Sequence, residues 1–162
     1  MQDALPQARA RAGWPQLLTV APLIVVPVLI YNVIALAAGS ATGAGGVPPA
    51  EAALAATMVN MTMLSGARLV LTWGDLLLVI AIVFLFAEVL KATNTGTTAI
   101  TNHILSMGLF VACLVEFMLF ANFATSVFFL MTAIVLLDAV AGMVVSIISA
   151  RRDFGVGEGF SS

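Results

Sequence analysis

Residues 127–149 read VFFLMTAIVLLDAVAGMVVSIIS. A helix needs about 20 predominantly apolar residues to cross the hydrocarbon core of a bilayer. This stretch supplies that length with one charged residue, Asp138. Three more stretches repeat the pattern: 17–38 (LLTVAPLIVVPVLIYNVIALAA), 69–91 (LVLTWGDLLLVIAIVFLFAEVLK) and 103–123 (HILSMGLFVACLVEFMLFANF). The reading that follows is an all-α, integral membrane four-helix bundle forming one domain over residues 1–162.

Composition supports that reading. Apolar residues make up 62% of the chain and charged residues 9%, where a soluble domain averages about 45–50% and about 25%. The mean hydropathy is +1.14. A net charge of -2 with no basic run excludes a nucleic-acid partner held through phosphates. The first span has Arg9 and Arg11 ahead of it and ALAAGSA at its end, which resembles a signal peptide. Its apolar run exceeds the 7–15 residues or so of a signal-peptide core, so an uncleaved span is expected. Pro22 and Pro27 within it predict a kink.

The connections carry polarity. Arg9, Arg11, Lys91, Arg151 and Arg152 fall on one side of a four-span chain and Arg68 alone on the other, which places both termini in the cytoplasm. Pro49 and Glu51 suit the first turn of a helix. Leu54, Met58, Met61 and Leu64 recur at spacings of four, three and three. Together they predict one short outer interfacial helix over about 49–64, ending at Ser65-Gly66. Thr125 or Ser126 is placed to cap the fourth span. The glycine-rich tail, 151–162, reads as mobile.

Four acids fall within or at the ends of the spans: Asp75, Glu88, Glu116 and Asp138. An acid in hydrocarbon normally faces protein or a wet cavity. Asp138, Gly142 and Ser146 recur every four residues, as do Gly108, Ala112 and Glu116. Each acid therefore shares a helix face with small residues that allow close helix packing. Counted from the cytoplasmic helix ends, Asp138 lies about 17 Å deep and Glu116 about 20 Å, so the two are expected to approach one another near the midplane. Glu88 has Lys91 three residues on, an i,i+3 pair.

Other candidate sites are weaker. Met58, Met61 and Met63 resemble a thioether patch for Cu(I), but methionine also fills an apolar face. His103 reads as an interfacial residue and Cys113 as a buried thiol. One cysteine and one histidine make a metal site hard to assemble. No Ser/His/Asp set, HExxH or haem-type histidine pair is present, so neither an enzyme nor a cofactor is expected. The reading is an accessory or scaffold subunit of a larger membrane complex, its partners being the lipid bilayer and other membrane subunits or itself. The alternative is a small proton- or cation-coupled transporter using the intramembrane carboxylates.

FATSVFF at 123–129, LLDAVAG at 136–142 and ARRDFGVG at 150–157 resemble an uncharacterised group of small four-span bacterial inner-membrane proteins. That resemblance implies a bacterial inner-membrane location and brings no activity with it. WGD at 73–75 also resembles the small membrane subunit of tripartite carboxylate transporters, an example of a partner-subunit role.

Overall fold

A computed structural model describes residues 21–39, 46–92 and 97–156. Arg9 and Arg11, the start of the first predicted span, residues 40–45 after it and the last six residues of the tail lie outside these. The elements run in the order α1 (Val25–Ala37), α2 (Pro49–Leu54), β1 (Thr57–Thr62), β2 (Arg68–Thr72), α3 (Trp73–Ala92), α4 (Thr97–Leu119), a 3-10 turn (Ala121–Phe123) and α5 (Ser126–Val156).

The chain is mostly helical, and three of its helices are long and apolar enough to cross a membrane: Trp73–Ala92, Thr101–Leu119 and Ser126–Val145. The first predicted span appears as the 13-residue apolar helix α1. Its prolines do not kink it. Pro22 precedes the helix and Pro27 is its third residue, where the backbone N–H has no intrahelical acceptor to lose.

The predicted outer helix over 49–64 is corrected. Only Pro49–Leu54 is helical; β1 and β2 then pair antiparallel, from Thr57↔Thr72 to Thr62↔Arg68, with a bulge between Thr57 and Val59. Ser65-Gly66 is the hairpin turn rather than a helix stop. Gly66 takes φ +82°, a left-handed conformation open to glycine, and Met63 N–H donates to Ala67 O at 2.8 Å. Leu69-Val70-Leu71 gives Val59-Asn60-Met61 a partner strand, so ladder bonds replace the helical periodicity. The second long helix accordingly begins at Trp73, not at residue 69. Alternation along β1 puts Met61 on the opposite face from Asn60 and Thr62, and the three methionines form no helical stripe.

α5 is the central element. Phe128, Met131, Val135 and Ala139 are buried along one face, and α5 packs against both α3 and α4, while α1 packs on α3. Thr125 caps it: Phe128 N–H donates to Thr125 Oγ1 at 3.1 Å. The Tyr31 hydroxyl pairs with that same oxygen at 2.6 Å and donates to Asn122 O at 2.9 Å. Its ring packs on Phe128, 4.6 Å between centroids. α2, α3 and α5 converge at Gly74, where a Cβ would lie 2.7 Å from Val127 Cγ2 and 3.4 Å from Leu54 O.

The outside of the helices is apolar. Val79, Ile82, Val83 and Phe86 on α3, and Ile147 and Ile148 on α5, are exposed. A continuous surface of this kind suits hydrocarbon, not water. The predicted mobile tail is helical through Val156, as the last turns of α5.

Candidate functional site

The four acids have four different settings. Asp75 closes the hairpin onto α3. Thr72 N–H and Thr72 Oγ1 both donate to Asp75 Oδ2 at 2.8 Å, and Asp75 N–H donates back to Thr72 Oγ1 at 3.2 Å. This reciprocal arrangement is a capping box. Asp75 is exposed and belongs to a helix N-terminus, not to an interior polar site.

Glu116 and Asp138 do not meet. α4 and α5 are antiparallel, and their contacts fix the pairing: Phe117 meets Phe129, Ser106 meets Asp138 and His103 meets Gly142. Glu116 lies beside the first of these levels and Asp138 at the second, so roughly 13–15 Å along the helices separates them. Close approach of the two acids requires His103 and residue 149 to stand level. His103 is instead level with Gly142, which offsets the two helices by about two turns. Glu116 accepts from Asn32 Nδ2 of α1 at 3.4 Å and is half-buried.

The small-residue faces also differ. Gly108 has no atom within 4 Å of a built Cβ and Ala112 is exposed, so these two small residues point away from the other described elements. α4 instead turns Asn102, Ser106 and Cys113 inward. Gly142 does serve a close contact: a Cβ there would lie 3.0 Å from His103 Nδ1. The side chain of Ser146 lies outside the described residues.

Glu88 anchors the polar site proper, at the end of the helices remote from the hairpin. It is only 2% exposed, and three donors converge on it. Lys91 lies 3.0 Å from Oε1 as an ion pair, Leu23 N–H donates to Oε2 at 2.7 Å, and Asn102 Nδ2 donates to Oε1. Lys91 also donates to Ala21 O at 2.7 Å and to Asn102 Oδ1 at 3.1 Å. The ammonium therefore has three acceptors, as many as it has protons. Glu88, Lys91 and Asn102 form a neutral, satisfied lock that ties the start of α1 to α3 and α4.

Asp138 completes the cluster from α5. It is 4% exposed and lies near Ser106, Glu88, Lys91 and His103. Its Oδ2 has no hydrogen-bond partner, nor does the buried Nδ1 of His103. Asn102, His103, Ser106 and the main-chain atoms of residues 21 and 23 are thus site members that the pattern of acids in the sequence does not mark. The signal for two of them was present, since Asn102 and Ser106 are four apart and share an inward face. The main-chain atoms leave no such signal. Among the described residues, no group of three or more His, Cys, Asp or Glu is placed to hold a metal ion.

No family model matches the chain, and no curated protein or solved structure matches it.

Proposed function

We propose that the chain is a four-span integral membrane protein with both termini cytoplasmic, acting as an accessory or scaffold subunit of a larger membrane assembly. The observation that supports it is the outward face of α4. Gly108 and Ala112 are turned away from every other described element, with half-buried Glu116 one turn further along. Small residues on a lipid-facing stripe let a helix of another subunit approach to backbone distance, and an acid at its edge offers that helix a polar contact.

Native purification in mild detergents tests this. The full chain is expected to bring a larger membrane partner with it. Gly108→Leu and Ala112→Phe, which place bulk on an open face, should release that partner while leaving the fold intact. Recovery of the wild-type chain as a lone monomer in several gentle detergents overturns the reading.

The second reading, a proton- or cation-coupled transporter, is favoured by the unpartnered Oδ2 of buried Asp138. Proteoliposomes of the pure chain should then carry proton or cation flux that Asp138→Asn abolishes. Flux that persists in that variant removes this reading.

A further inference from the structure

We propose that Asp138 and His103 form a proton-binding site, taking up one proton from water between them, at the junction of α4 and α5. It does not depend on the assembly reading, nor on protons crossing the membrane.

The geometry begins with two facing pairs. His103 and Ser106 are three apart on α4; Asp138 and Gly142 are four apart on α5. Each pair shares a helix face. Ser106 lies next to Asp138 and the His103 ring lies against Gly142, so the carboxyl and the imidazole occupy adjoining positions across one helix seam. Gly142 makes room for the ring, since a side chain there would press on Nδ1.

The second observation is the distribution of hydrogen bonds. Glu88, Lys91 and Asn102 use their polar atoms on each other and on the backbone. Asp138 and His103 are the two residues of the cluster left with buried atoms that have no partner, Oδ2 and Nδ1. Buried polar atoms of this kind are rare in folded proteins, and these two are chemically complementary: a carboxylate oxygen accepts, and an imidazole nitrogen accepts or carries a proton.

The charge balance points to a proton. Among the described residues, the charged groups facing the pair are Glu88 and Lys91 from α3, and these cancel as an ion pair. With His103 neutral and Asp138 ionised, these described groups together carry one uncompensated negative charge. Uptake of one proton from water brings it to zero, whether the proton rests on the imidazole or on the carboxyl. No other species is formed or consumed. The metal alternative lacks ligands, because the described residues offer no third His, Cys, Asp or Glu in suitable position.

The single histidine of the chain makes the test direct. Full-length protein in lipid nanodiscs carries a nitrogen-15 label in histidine and a carbon-13 label in aspartate carboxyls. Asp138 is assigned by substituting Asp3, Asp75 and Asp153 in turn. In the wild type, the imidazole and the Asp138 carboxyl are expected to respond together to uptake of that one proton, at the same midpoint, because the step belongs to the pair and not to either residue. In Asp138→Asn the imidazole midpoint should be displaced by about one pH unit or more, and in Glu116→Gln it should stay in place. Wild-type midpoints separated by more than about half a pH unit, or an imidazole signal unmoved by Asp138→Asn, overturn the proposal. The wild-type comparison decides the matter even if Asp138→Asn does not fold.

Discussion

Replacing Glu88 by glutamine should destabilise the protein by about 2–4 kcal/mol, as follows. The carboxylate accepts from Leu23 N–H, Lys91 and Asn102 and is almost fully buried. A glutamine retains one acceptor oxygen and substitutes an NH2 for the other. That NH2 must face the Leu23 N–H or the Asn102 amide, donor against donor. One buried donor left unsatisfied costs about 1–3 kcal/mol, and turning charge-assisted bonds into neutral ones roughly halves them. Lys91 is partly exposed and recovers some hydration, which keeps the total below the 3–5 kcal/mol or so of a fully buried broken ion pair. Unfolding midpoints of the full chain in mixed micelles, titrated with a denaturing detergent, measure the loss. Lys91→Met on its own should also destabilise, and the double variant should lose at least about 1 kcal/mol less than the two losses added together, because the groups share partners. A Glu88→Gln variant within about 0.5 kcal/mol of wild type, the range of neutral surface changes, or a strictly additive double variant, would refute the lock.

Thr125→Ala removes the α5 cap and the oxygen paired with Tyr31; a loss of about 1–2 kcal/mol is expected in the same unfolding titration, and Thr125→Ser should restore most of it. Gly74→Ala places a methyl 2.7 Å from Val127 Cγ2, so the Val127 side chain or the α3–α5 spacing must give; a loss of about 1–3 kcal/mol should be measured, whereas Gly108→Ala, with open space around it, should cost no stability and gain up to about 1 kcal/mol. Cys113 is fully buried, so a maleimide should label the folded protein slowly and the detergent-denatured chain rapidly, with one thiol reacted per chain.

The long helices were legible because their signal is composition over some 20 residues, which no tertiary contact overrides. The cap at Thr125 was legible because the capping residue and the N–H it accepts from are three apart in sequence. The stretch 57–72 misled because Leu54, Met58, Met61 and Leu64 fit a helical period while Gly66 and the β-branched residues around it fit a hairpin. Which pattern wins depends on whether a partner strand exists, and Leu69–Leu71 also fit the start of an apolar span. The Glu88–Lys91 pair is a local feature and was visible. Its other partners, Asn102 and the main chain at residues 21 and 23, come from distant segments and were not. The level of Glu116 against Asp138 depends on how the ends of two helices of unequal length are aligned, and the sequence of each helix alone does not contain that alignment.

Two of the bonds that fasten the segment before α1 run to a carbonyl and an amide, Ala21 O and Leu23 N–H. Every amino acid supplies the first, and every one but proline the second. Substitution at these positions should therefore be freely tolerated, with proline at residue 23 as the exception, while Glu88 and Lys91 on the receiving side admit little change. A scan for intolerant positions would miss half of this joint and register only its far side.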